Sequence, residues 1–159
     1  LEELEDAGES YRRQEETKRA LELAMQKLGE LSKDVHQELS VKLNEKASAI
    51  LAEITGGKYE MLFVDEKLKM SLYTAGKRIS IEQVSRGTIE QIYFALRMAA
   101  SEILYEEDYP VILDDTFVFY DDKRLENTLR WLKKNKKQVI IFTCQKREQE
   151  ILNRICNCS

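Results

Sequence analysis

Histidine and proline each occur once in these 159 residues, cysteine occurs three times, and no stretch matches the GxxxxGK[ST] pattern of a phosphate-binding loop. Each scarcity excludes something. Cys144, Cys156 and Cys158 are odd in number and late in the chain, so there is no disulfide framework and a reducing, cytoplasmic setting is favoured. Cys156-x-Cys158 has no second ligand pair to complete a zinc site, and His36 falls in a polar helical pattern, where a solvated position is expected. No apolar run approaches the roughly 20 residues of a membrane-spanning helix, and LEELEDAGES lacks the order of a signal peptide. The opening Leu1 suggests a chain cut from something longer. Gly56-Gly57-Lys58 is the nearest approach to a phosphate-binding loop, but it lacks the spacing and follows a helical stretch.

A broad basic surface is also missing. The net charge is −4, which gives no electrostatic footprint for nucleic acid. Arg12-Arg13 and the lysines 133, 134, 136 and 137 sit beside helical patterns and read as solvated faces. Charged residues make up 34% and aromatics 8%, a balance that suits one modest core plus a long polar helix.

From Leu1 to about Thr55 there is no proline, and Glu, Lys, Leu, Ala and Gln dominate. Leu21, Ala24, Leu28, Leu31 and Val35 recur at steps of three and four, a heptad seam for a partner helix. From Leu28 through Leu39, Leu43, Ala47 and Ile50 to Ile54 the mean step lengthens to about 3.7, which straightens a left-handed supercoil. Gly56-Gly57 should end the helix. The spacing therefore divides the chain into a coiled-coil helix over 1–55 and an α/β lobe over 56–159.

In the lobe, Tyr59 to Asp65 and Leu68 to Tyr73 alternate as strands, with Thr74 to Lys77 as the turn and a short strand over Arg78 to Ile81. Ile89, Ile92, Tyr93, Leu96, Ala99, Ala100, Ile103 and Leu104 form one broad face of a helix. Pro110 precedes a buried strand ending in Asp114-Asp115, and Asp121-Asp122 caps a helix over about 122–134 that carries Leu125, Leu129 and Trp131 inward. Val139 to Thr143 reads as another buried strand, followed by a last helix from Lys146 to about Ile155. The strand–helix–strand–helix order implies a parallel sheet with right-handed crossovers.

Four features carry chemistry. Val84-Ser85-Arg86-Gly87-Thr88 opens a long helix, where unpaired N–H groups at the positive end of the dipole suit a phosphate; a plain serine N-cap with a loop glycine gives the same letters. Asp114 and Asp115 end a buried strand, where open α/β sheets bind ligands. On a strand, adjacent side chains face oppositely, so one carboxylate would hold a metal and the other face a reacting water, unless both simply cap a turn. Asp121 lies six residues on at the mouth of the next helix, and Cys144-Gln145 follows the last strand. Phe117, Phe119 and Tyr120, between the carboxylates, would either cover the sheet edge or pack against a partner, the second being preferred.

In this order the four features resemble the C-terminal lobe of ABC-class ATPase heads, in the SMC-like branch and most closely the bacterial YhaN-like large ATPases. Residues 55–152 carry the resemblance, with Ser85-Arg86-Gly87-Thr88, Gln91 and Ala95-Leu96-Arg97 its most specific part. The fold it implies is α/β: a β-hairpin plus parallel strands and helices, with a long N-terminal coiled-coil helix. It implies that Ser85, Arg86, Gly87 and Thr88 form the signature loop, which touches the γ-phosphate of ATP held by a partner head. Asp114 would be the Walker B aspartate supporting Mg²⁺, Asp115 would stand for the catalytic glutamate, and Asp121 would be the D-loop residue at the dimer interface. Gln145 would replace a histidine that contacts the γ-phosphate, keeping a hydrogen-bond donor without the charge.

The implied partners are the N-terminal lobe of the same head, a second head in a homodimer, and a coiled-coil helix, with DNA an expectation of the resemblance alone and no membrane. The implied activity is ATP hydrolysis by an intact parent in DNA repair, recombination or chromosome maintenance. The chain alone would be inactive, because the phosphate-binding lysine and its backbone nest belong to the other lobe. The rival reading is a non-catalytic coiled-coil interaction module without a P-loop.

Overall fold

The computed structural model describes residues 2–65, 67–105 and 107–157, with side chains described from residue 11 onward. Cys158, the second thiol of Cys156-x-Cys158, lies outside these residues. Two compact units are present, Leu1–Leu39 and Ser40–Ser159.

The first unit belongs to α1, which runs from Glu2 to Thr55. Every described side chain from residue 11 to 39 is exposed, including Leu21, Leu28, Leu31 and Val35 of the heptad stripe. Local pairs such as Arg19–Glu15 (3.2 Å) and Lys27–Glu30 (2.7 Å) lie along the exposed helix surface and support it only weakly.

In the second unit the last turns of α1 join the core through Ala47, Ile50, Leu51 and Ile54. The helix ends in a Schellman motif: Gly56 (φ 63°) donates to the Glu53 carbonyl and Gly57 (φ 80°) to that of Ala52. Three antiparallel strands follow in the order β1 (Met61–Val64), β2 (Met70–Thr74) and β3 (Lys77–Ser80). Leu62, Val64 and Leu72 face the core. Ala75 and Gly76, both at positive φ, make the two-residue turn whose twist suits a hairpin. The second strand starts at Met70, later than its alternation suggests. Leu68 stands in a left-handed turn that Asp65 organises by accepting from the amides of Lys67 and Lys69 at 2.8 Å.

The outer edge of β1 is met by side chains one helical turn apart on α1. Asn44 donates to the Val64 carbonyl and accepts from its amide, and Ser48 accepts from the Leu62 amide at 2.9 Å. The helix thereby takes the place of a further strand and protects a sheet edge.

A 3-10 turn at Ile81–Gln83 leads into α2 (Arg86–Leu104), then β4 (Val111–Asp114), α3 (Asp122–Asn135), β5 (Val139–Phe142) and α4 (Lys146–Asn157). β4 and β5 pair in parallel, with α3 as the crossover. Two expectations change here. The buried face of α2 is rotated from the one its apolar spacing suggests: Thr88, Gln91, Phe94, Ala95 and Met98 point inward, while Tyr93 and Leu104 are exposed. Polar groups earn those interior positions by hydrogen bonding, as when Gln91 Nε2 donates to the Ile54 carbonyl at the end of α1. β4 and β5 are buried on one face only. Val111 and Leu113 point inward, whereas Ile112 is 63% and Phe142 57% exposed. The alternation along each strand sorts a continuous apolar run into an inner and an outer row.

In the same core lie Phe94, Phe117, Trp131 and Tyr120, with Phe94 edge-on to Trp131 at 5.8 Å and Phe117 tilted against Tyr120 at 5.4 Å. Burying rings of this size accounts for much of a small core. Burial also pushes the Tyr120 phenol, whose hydroxyl has no partner among the described residues, well above the usual tyrosine range. Phe117 and Tyr120 therefore belong to the core. Of the three aromatic residues expected at an interface, only Phe119 is exposed.

Candidate functional site

The start of α2 is shaped by a serine that caps without using its side chain. Ser85 has the extended backbone of an N-cap (φ −68°, ψ 156°), and its carbonyl accepts from the amides of Thr88 and Ile89. Its hydroxyl lies 3.1 Å from that of Thr88, while Nη2 of Arg124 donates to both, at 3.3 Å to Ser85 and 3.2 Å to Thr88. Gly87 lies beneath this contact. A Cβ there would collide with the Arg124 guanidinium and come within 2.6 Å of the Phe119 carbonyl oxygen. The glycine is needed for close approach rather than for an unusual φ. Arg86 stacks its guanidinium on the Phe119 ring at 3.8 Å.

Asp121 is the N-cap of α3 and accepts from the Arg124 amide at 2.8 Å through Oδ1, while Oδ2 faces Arg124 Nε at 3.5 Å. The fold thus brings the Ser85–Thr88 turn and Asp121 together, with Arg124 between them.

Asp114 closes β4 and is exposed. Asp115 lies past the strand end in a left-handed conformation (φ 43°), so alternation along a strand is not what separates the two carboxylates. The left-handed backbone is a physical reason for aspartate here: Asp and Asn tolerate this region far better than most residues, whereas a longer glutamate is disfavoured. The Asp115 amide continues the ladder to the Phe142 carbonyl at 2.9 Å. Its Oδ1 accepts from the Cys144 amide at 3.4 Å, with the Cys144 thiol 3.7 Å away.

Gln145 follows, its amide donating to the Thr143 hydroxyl at 3.0 Å. Arg147 then spans the gap to the 116–121 loop. It donates from Nε to Gln145 Oε1 at 2.7 Å, from Nη2 to the Phe117 carbonyl at 3.0 Å, and from Nη1 to Asp122 at 3.4 Å. Behind it Glu148 is 3% exposed, and neither carboxylate oxygen has a partner among the described residues. Burial pushes its pKa above the usual carboxylate range; Thr143 and Arg147 act against this and the charge of Asp115 adds to it.

Arg124, Arg147 and Glu148 were not singled out from the sequence. A signal existed for the arginines. Each sits in the first turn of a helix, where the dipole opposes a cation, so each needs an anchoring acceptor nearby. Glu148 gave no such sign.

Among the described residues no group of three or more His, Cys, Asp and Glu side chains could hold a metal ion. A lone exposed carboxylate such as Asp114 suits Mg²⁺, which usually takes one or two protein carboxylates and completes its shell with phosphate oxygens and water. Also among the described residues, no helix is long and apolar enough to cross a membrane.

No family model matches the sequence. The chain is 32% identical over 109 residues to the uncharacterized protein YhaN of Bacillus subtilis (strain 168), in an alignment that takes in 65% of this chain and 11% of that protein. It thus spans about a tenth of that relative's length. Its backbone matches a chain solved in work on ATP-driven dimerization and DNA-stimulated activation of SMC ATPases, with a TM-score of 0.62 and 19% identity, over 75% of this chain and 77% of that one. The SMC head domain from Thermotoga maritima gives 0.56 at 24% identity, over 69% and 40% of the two chains. The Smc head of Pyrococcus furiosus with an extended coiled coil, bound to the C-terminal domain of ScpA, gives 0.59 at 16% identity, over 77% and 33%. The chain has the fold of an SMC head fragment.

Proposed function

We propose that this chain is the signature-bearing lobe of an SMC-like ATPase head. In this reading it cooperates with a lobe carrying a GxxxxGK[ST] loop and pairs with a second head across ATP. One observation carries the proposal: two arginines tie the loops that hold most of the expected site residues, by hydrogen bonds and an ion pair. Ser85 and Thr88 meet Arg124, Arg124 meets Asp121, and Arg147 ties the same loop to Gln145. Cys144, which precedes Gln145, donates its backbone N–H to Asp115 at 3.4 Å. Unrelated loop residues would have no reason to be wired in this order.

The reaction is attack of water on the γ-phosphate. The water oxygen bonds to phosphorus as the bond to the bridging oxygen of ADP breaks, and the water's proton leaves with the phosphate or passes through Asp115. Asp115 orients the water, held by the Cys144 amide. Ser85, Arg86, Gly87 and Thr88 present the positive start of α2 to the γ-phosphate on the partner head, while Gln145 offers its side-chain N–H to the γ-phosphate that Asp115 serves. Asp114 would hold Mg²⁺, which when bound neutralises charge on the phosphates. Positioning and charge stabilisation account for most of the catalysis.

The exposed stripe Leu21, Leu28, Leu31 and Val35 is the surface for a partner helix. The open sheet face of Ile112, Ile140 and Phe142 is the surface for the P-loop lobe. DNA repair or chromosome maintenance, with DNA as the ultimate partner, follows from the resemblance. The test is nucleotide binding and turnover by the full-length protein. Binding and hydrolysis support the head; a full-length protein that binds no nucleotide supports a coiled-coil interaction module instead.

A further inference from the structure

Arg124 lies outside the motifs read from the sequence, yet it contacts two of them. Its Nη2 reaches the hydroxyls of Ser85 and Thr88, its Nε faces Asp121, and its guanidinium lies over Gly87. A cation at a helix N-terminus is opposed by the dipole of that helix, so this position depends on the acceptors around it. Those acceptors are the same groups that define the two loops. The Ser85 hydroxyl makes no cap bond within α2, and the Asp121 carboxylate is both the cap of α3 and the counter-ion of Arg124. The Ser85 and Asp121 side chains thus share one guanidinium, in addition to the backbone bonds that cap each helix. A planar fork with fixed donors can hold all of these acceptors at once; a lysine ammonium on a flexible stem cannot.

We propose that Arg124 is a positioning residue that locks the Ser85–Thr88 turn to the Asp121 loop, so that contact of a partner head with either one sets the geometry of both. The proposal rests on the ATPase-head reading. It makes Arg124 the residue through which head pairing and turnover are coupled. Gly87 admits the guanidinium, and the Arg86–Phe119 stack closes the same contact from its outer side.

Two measurements test it. In the full-length protein, Arg124→Ala is expected to lower kcat and ATP-dependent head pairing by about tenfold or more, with ATP affinity changed less than about threefold. Arg124→Lys should fail to restore either. Arg130→Ala, which removes only the exposed pair with Glu126 on the same helix, should leave turnover as it was. Ser85→Ala and Arg124→Ala should be strongly non-additive when combined. Retained turnover in Arg124→Ala, rescue by lysine, or independent losses in the double variant would overturn the proposal.

The second measurement is amide hydrogen exchange on the full-length protein, which also guards against simple misfolding. Arg124→Ala should speed exchange in residues 85–89 and 117–121 together, leaving the interior of α3 protected. Faster exchange in only one loop, or in neither, contradicts the lock. A wild-type full-length protein without ATP binding overturns the head reading, and with it the coupling role, whatever the exchange pattern.

Discussion

The guanidinium of Arg147 donates to the side-chain oxygen of Gln145 at 2.7 Å. With Oε1 taken, the amide can offer only its N–H₂ end outward, the end that a phosphate oxygen needs. Arg147 also fixes the Phe117 carbonyl, so the same side chain holds the 116–121 loop. Arg147→Ala should lower ATP turnover of the full-length protein about tenfold with little change in ATP affinity, read by steady-state kinetics and nucleotide titration.

Gly87 and Gly29 should respond oppositely to alanine. At Gly87 the added methyl meets the Phe119 carbonyl, and a backbone oxygen cannot swing aside. Gly87→Ala should cost about 1–3 kcal/mol of stability in urea unfolding. Nothing lies within 4 Å of a Cβ at Gly29, a position on α1. Gly29→Ala should stabilise that helix by up to about 1 kcal/mol, seen as greater helicity on heating.

Glu148 predicts a pH dependence. Its folded pKa is raised, so the folded state holds a proton that the unfolded state has released as pH climbs through the ordinary carboxylate range. Stability is then greatest below that range and falls as pH rises toward the folded value. Asp115 adds to the effect, while Thr143 and Arg147 oppose it. Glu148→Gln removes the titration. It should be more stable than wild type at about pH 8 and nearly equal at about pH 4, measured by urea unfolding at both. A larger gap at the lower pH would contradict this account.

The open face of β4 and β5 predicts self-association of the 159-residue chain. Apolar rows on an uncovered sheet mark interaction surfaces or aggregation liabilities. Ile112→Lys with Phe142→Lys should shift sedimentation toward the monomer. Because the α1 stripe is also apolar, Leu28→Lys with Leu31→Lys is the companion variant that separates the two surfaces. A wild-type chain that is monodisperse and monomeric at high concentration would argue against both.

Much of the fold is legible in the residues. The Gly56-Gly57 stop, the turn at Ala75-Gly76 and the Asp121 cap are local chemistry, and each stands where its residue types demand. The inward face of α2 was less legible, because Thr88 and Gln91 are buried by virtue of partners distant in sequence, which periodicity cannot register. The half-buried state of β4 and β5 was hidden for a different reason. An apolar run looks alike whether one row is covered by this chain or both are, and only the fold separates Val111 from Ile112.

The candidate site divides along the same line. Ser85, Gly87, Asp114, Asp115, Asp121 and Gln145 were marked by motif order, while their separate consequences for geometry were not. That Asp115 sits at positive φ, and that Arg124 and Arg147 connect the loops, depend on packing between elements dozens of residues apart.

The most direct test of the central claim is ATP turnover by the full-length protein beside its Asp115→Asn variant. Asparagine tolerates the left-handed backbone and keeps the shape, so the change removes charge with little strain. The account predicts that wild type hydrolyses ATP and that the variant still binds it while losing turnover by about a hundredfold or more. A variant that hydrolyses ATP as fast as wild type, or a wild type that neither binds nor hydrolyses it, would contradict the account.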